Sequence, residues 1–162
     1  MFKDWTDDSE QVLKRFCMKD VEYSKIGRFV KDYFEYTRLT DVLKEYAAAI
    51  KDIFTYCIAF STFPSISWID FTNLCSMWKI PDSKTCTMQT IDRIFIVTNV
   101  ELMGQEQEDN PDRDLCRYEF FEIIVRMGGA KFKDSKEVDT WDEATKLLLE
   151  KHMIPNTNHM GG

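Results

Sequence analysis

The stretch NPDRDLCRYEFFEIIVRMGG, Asn110 to Gly129, changes character twice. It opens polar and acidic, passes through the short extended piece Leu115-Cys116-Arg117, and closes as an amphipathic helix from Tyr118 to Met127. An earlier stretch, FSTFPSISWIDFTNLCSMW, Phe60 to Trp78, repeats that order. When Ile66 is aligned with Leu115, Asp70 falls on Glu119, Phe71 on Phe120, and Leu74 on Ile123. Each copy is thus a polar loop, one β-type residue, and an acid followed by Phe at the start of a new helix. Gly128-Gly129 reads as a helix stop, since glycine takes the left-handed C-terminal cap without strain.

Outward from this pair the chain is helical in period. Val12, Leu13, Phe16 and Cys17 share one face of Asp7 to Met18. Ile26, Phe29, Val30, Tyr33 and Phe34 follow the next helical rhythm. A helix with Thr40 as N-cap carries Leu43, Tyr46, Ala47, Ile50, Ile53, Phe54, Cys57 and Ile58, and Pro64 breaks it. Phe71, Leu74, Cys75 and Trp78 mark a helix to about Lys79, before the loop IPDSK. Residues 87–98 carry Ile91, Ile94, Phe95 and Val97. Their β-branched content leaves a strand open, but Asp92 and Arg93 fit no alternation. After the linker AKFKDSKEVD, Thr140 and Glu143 form a capping box. That last helix runs to about His152, Pro155 ends it, and the tail NTNHMGG is expected to fray.

The register I-x-x-x-D-F and L-x-x-x-E-F, entered and left by amphipathic helices over residues 42–128, resembles the paired EF-hand. In that family an apolar eighth loop residue pairs with its twin, and an acid at the twelfth opens the exiting helix. A calcium loop supplies roughly six to eight oxygens, from its first, third, fifth, seventh, ninth and twelfth positions, with Gly sixth. Counted back from Asp70, the first loop offers Ala59, Ser61, Phe63 and Pro64, which is unfit for the ion. Counted back from Glu119, the second offers Glu108, Asn110, Asp112 and Asp114. Arg113 stands at the glycine position, where a Cβ makes a left-handed backbone costly. The expectation is a degenerate pair that folds without metal or other cofactor. Calcium at Glu108, Asn110, Asp112 and Glu119 is the alternative. Phe71, Trp78, Phe95, Phe120 and Ile124 would fill the core, each worth roughly 1.5–3 kcal/mol on burial.

The 162 residues carry 44% apolar and 14% aromatic side chains, enough for a real core. A net charge of −7 opposes nucleic acid and anionic lipid and favours basic partner segments. No segment approaches the roughly 20 apolar residues of a membrane span. The N-terminus lacks a signal-peptide pattern, so a cytoplasmic protein is expected. Cys17, Cys57, Cys75, Cys86 and Cys116 are odd in number and widely spaced, as free thiols in a reducing compartment would be. His152, at a helix end where a cation suits the dipole, and His159, in the tail, form no Cys–His or Ser–His couple, so no enzyme is expected.

The run NPDRDLCRYEFFEIIVRMGGAKF, followed by EATKLLLEKHMIPN, is similar to EF-hand-like helical modules of large protist ciliary and flagellar proteins. That resemblance implies a structural or docking role on the axoneme, among microtubule-associated or cytoskeletal subunits, without catalysis. The expectation is an all-α protein. Residues 1–39 supply N-terminal helices, 40–129 the degenerate pair, and 130–162 a linker, a capped helix and a frayed tail. It would serve as a protein–protein interaction scaffold, and the alternative is a calcium-responsive regulator.

Overall fold

Helical period wins throughout. The computed structural model describes residues 2–59, 65–99 and 114–158, with backbone alone over 2–10, and every regular element among them is helical. Helix α1 (Phe2–Tyr23) turns at Ser24-Lys25 into α2 (Ile26–Phe29). Helices α3 (Tyr33–Glu45) and α4 (Ala47–Ile58) meet at Tyr46, and α5 (Trp68–Met77) and α6 (Met88–Asn99) follow. The segment 87–98 is therefore helix and not strand. Helix α7 (Arg117–Gly128) continues into a π-helical turn (Gly129–Lys133). Helix α8 (Trp141–Leu148) runs through a second π turn (Leu149–Met153) into α9 (Ile154–Asn158).

The centre of the core follows the apolar stripes, although Val97 of the 87–98 stripe stays 45% exposed. Phe71, Trp78, Phe95, Phe120 and Ile124 are all fully buried. Phe71 packs on Phe95 with ring centroids 5.5 Å apart, and Phe54 on Phe120 at 5.3 Å. On α1, however, only Cys17 of the expected stripe is buried, and Phe16 stays 49% exposed.

Several local signals resolve differently once the chain is packed. The helix expected to run from Ile26 through Phe34 is broken, because the Asp32 carboxylate accepts the Glu35 N–H at 2.9 Å and starts α3 anew. Tyr33 and Phe34 consequently point outward, 74% and 71% exposed. Thr40 is no N-cap. It lies inside α3 and its hydroxyl donates to the Thr37 carbonyl at 2.8 Å.

The Thr140 hydroxyl makes no cap bond either. The Trp141 N–H donates instead to Glu35 of α3, at 2.7 Å. A carboxylate 106 positions away in sequence thus caps α8, and it ties α8 to α3.

Gly128 and Gly129 do not stop their helix. Both have ordinary helical angles (φ −57°, ψ −45° and φ −61°, ψ −45°), and the helix runs on through them. They are small because α8 crosses there. A Cβ on Gly128 would sit 3.0 Å from the Ala144 carbonyl oxygen, and one on Gly129 2.2 Å from the Trp141 ring. Pro155 does not end the last helix. It sits within the continuing helix, directly after the π turn that ends at Met153.

His152 is inside that helix and not at its end. Its Nδ1 lies 3.2 Å from the Trp78 carbonyl and its ring against Phe132. Burial holds its pKa below the usual value, so it is not a cation serving a helix dipole. The described part of the tail, to Asn158, is helical and tied to the core: Trp78 Nε1 donates to Thr157 Oγ1 at 2.7 Å, and Asn156 Nδ2 to the Trp78 carbonyl at 3.3 Å. His159 lies outside the described residues.

The loop between α5 and α6 is organised by Asp82. Its Oδ1 accepts the N–H groups of Lys84, Thr85 and Cys86, and its Oδ2 the Lys131 ammonium at 3.0 Å. Burial raises the Asp82 pKa, but the backbone N–H donors and Lys131 outweigh it and hold the carboxyl well below the carboxylate range.

Two outcomes follow from this packing. Gly129→Ala should lose about 1–3 kcal/mol by urea denaturation, because the added methyl meets Trp141; part of that loss should return in Gly129→Ala/Trp141→Leu. For Asp82, the depressed folded pKa means a contribution complete above about pH 4 and lost as pH falls below it. Asp82→Asn should therefore flatten the acid limb of stability against pH between about pH 5 and pH 2.

Candidate functional site

The two aligned loops meet. Ile66 and Leu115 form an isolated antiparallel bridge, with Ile66 N–H to Leu115 C=O at 2.8 Å and Leu115 N–H to Ile66 C=O at 2.7 Å. Both side chains are fully buried. Beside the bridge, Ser65 Oγ donates to Asp114 Oδ2 at 2.9 Å and ties the loops a second time. The register that sequence alignment assigns to these residues is the register they adopt.

Immediately after each bridge residue a helix is capped. Ser67 Oγ accepts the Asp70 N–H at 3.2 Å at the start of α5. At the start of α7 the direction is reversed: the Cys116 N–H donates to Glu119 Oε1 at 3.0 Å. Asn99, with its amide nitrogen turned toward them, donates to Glu119 Oε2 at 3.3 Å and to the Asp114 carbonyl at 3.1 Å. Glu119 is only 4% exposed. The two aligned acids therefore differ. Asp70 faces water and contributes its backbone, whereas Glu119 is buried with both carboxylate oxygens engaged.

Of the residues counted into the two loops, Glu119, Asp114 and Ala59 are described; Glu108, Asn110 and Asp112 lie outside the described residues, as do Ser61, Phe63 and Pro64 of the first loop. Among the described residues no cluster of three or more His, Cys, Asp or Glu side chains is placed to hold a metal ion. The Asp114 Oδ1 and Thr98 Oγ1 atoms beside this site are buried without a hydrogen-bond partner. Both Glu119 oxygens already accept hydrogen bonds, one from the start of its own helix and one from Asn99.

The five cysteines are free, four of them buried. Burial pushes the thiols of Cys17 and Cys86 up to about 11 and those of Cys57 and Cys116 to about 12, which makes them inert packing groups at neutral pH. His152 has no thiol or hydroxyl partner in its hydrogen bonding.

Two features had no sequence motif. One is a buried ionic knot behind the pair. Glu122, 1% exposed, accepts the Lys25 N–H at 2.9 Å and Arg126 Nε at 2.9 Å. The Lys25 ammonium donates to the Val97 and Thr98 carbonyls, at 2.6 Å and 3.0 Å, where it neutralises the C-terminal dipole of α6. The α1–α2 elbow, the end of α6 and the middle of α7 are locked together at this point. Only the i,i+4 relation of Glu122 and Arg126 was visible in sequence.

The other feature is a trough of about 550 Å³ between α1 and α4, closed at its base by Phe120 and Phe121 of α7. Its walls carry Val12 and Phe16 on one side and Ile50, Phe54 and Ile58 on the other. At its rim Arg117 pairs with Asp20, Nε to Oδ2 at 2.8 Å, and lies over the Phe16 ring.

No family model matches the chain, and no curated protein or solved structure matches it either. No described helix is long and apolar enough to cross a membrane.

The Glu119 carboxylate should prove structural. Glu119→Ala strands the Cys116 N–H and Asn99 and should cost about 1–3 kcal/mol. Glu119→Gln keeps an acceptor for Cys116 and should cost clearly less. Chemical denaturation of the three proteins at one pH measures both.

Proposed function

We propose that this chain is a non-catalytic protein–protein interaction module, built on a degenerate EF-hand-like pair that is locked in one state without an ion. The observation that carries this reading is the Ile66–Leu115 bridge flanked by Glu119, whose carboxylate is committed to its own helix and to Asn99. A sensor pair couples metal binding to opening. Here the acid that would close the ion's coordination is already satisfied, and the bridge is sealed in apolar surroundings. The buried thiols and the neutral, hydrogen-bonded His152 favour a non-catalytic role. The setting we propose is a scaffold element of a ciliary, microtubule-associated assembly, as the resemblance of residues 110–132 and 143–156 implies.

Isothermal titration calorimetry with calcium on the full chain tests this against calcium-responsive regulation. The expected outcome is no saturable heat at micromolar calcium and no change in amide spectra of α5 and α7. Micromolar binding abolished by Glu119→Gln would overturn the locked-scaffold reading.

A further inference from the structure

We infer that the trough between α1 and α4 is the docking site, and that its occupant is one amphipathic helix of a partner protein carrying carboxylates along one flank. The inference rests on the interaction-module reading, and it assigns the surface and the partner's charge. The shape supports a helix. On α4 the lining runs from Ala47 to Ile58, about 16 Å at 1.5 Å per residue, or three turns. That is the length over which a helix presents apolar anchors from i through i+3 or i+4 and i+7 to i+10 or i+11.

The walls are apolar and incompletely covered. Val12 and Phe16 are 38% and 49% exposed, and they sit beside buried Ile50, Phe54 and Phe120. Exposed apolar side chains that line one concavity mark a contact surface, unlike scattered ones. Phe16 is also held in place by the Arg117 guanidinium above its ring, so the anchor is pre-organised.

The sign of the partner's charge follows from the rim. Arg117 is answered by Asp20, but Lys51, exposed on α4, forms no ion pair among the described residues. The charged residues among the described lining, Asp20, Lys51 and Arg117, therefore leave one net positive charge on a chain of net charge −7. Total charge argues for basic partners, whereas the apolar surface that would supply the affinity has an unanswered ammonium beside it. Charge at the rim selects and steers, while the apolar contacts hold.

The test uses the full chain and two synthetic helical peptides of about four turns with Leu at i, i+3, i+7 and i+10, one carrying Glu along the flank and the other Lys. The Glu peptide should bind about fivefold more tightly than the Lys peptide, and Lys51→Glu should reverse that order. Phe16→Ala should weaken the Glu peptide about tenfold. Because Phe16 is half exposed, that variant should still fold, which its thermal melt checks. Phe34→Ala, at a more exposed aromatic outside the trough, should bind as the parent does.

The inference is overturned if neither peptide binds, if the Lys peptide binds better to the parent, or if Phe16→Ala changes nothing. It is also overturned if the chain alone forms a dimer that Phe16→Ala abolishes, since a second copy would then be the occupant. Calcium binding would sink the locked scaffold and leave the peptide result standing, so the two failures can be told apart.

Discussion

Two backbone hydrogen bonds between Ile66 and Leu115 join halves of the chain that share no other strand-like contact among the described residues. Their surroundings make them matter. Both side chains are excluded from water, so separating the loops would leave two N–H and two C=O groups unpaired in an apolar setting. The helices that leave the bridge are oriented by it. Ser67 caps α5 one residue after Ile66, and Cys116 begins α7 one residue after Leu115. Phe71 and Phe120 then fall at equivalent places and meet Phe95 and Phe54.

The acidic residues show how a chain of this charge stays compact. Several carboxylates are turned inward onto the protein's own donors and are not spread over a solvated face. Glu35 holds the first N–H of α8, Glu119 that of Cys116, Asp82 three N–H groups of its loop, and Glu122 the Lys25 N–H together with Arg126. Each supplies negative charge where a helix start or a turn presents orphan donors. Breaking such a bond leaves a buried donor or charge unpaired, so these acids specify geometry more than they add net stability.

The trough has the complementary logic. It exists because α1 sits on α4 and α7 through Cys17, Val21 and the Asp20–Arg117 pair, while Val12 and Phe16 stay partly exposed among the described residues. A helix bound along one edge of its apolar stripe leaves the other edge available. The ionic knot at Lys25 and Glu122 ties the elbow after α1 to α6 and α7.

Much of this was legible in the linear chain. Apolar period marked most of the helices and named Phe71, Trp78, Phe95, Phe120 and Ile124 as core, and the charged Asp92 and Arg93, which fit no alternation, favoured helix over strand for residues 87–98. Matching two loops placed Ile66 opposite Leu115. These are short-range patterns, and the physics that reads them is local: a helix repeats every 3.6 residues whatever it packs on. Gly128-Gly129 looked like a stop because glycine suits a cap, but here its smallness admits Trp141, which is a fact about a neighbour. Thr140 looked like a cap until Glu35 arrived from another helix. Tyr33 and Phe34 fit an apolar rhythm that Asp32 interrupts. His152 was a helix end only while α9 was unknown, and the trough belongs to three helices at once. Sequence determined where helices form and which face is apolar, because those depend on residues a few positions apart. Tertiary structure decided which polar group answers which, and which apolar edge stays bare, because those partners are chosen only when distant helices come into contact.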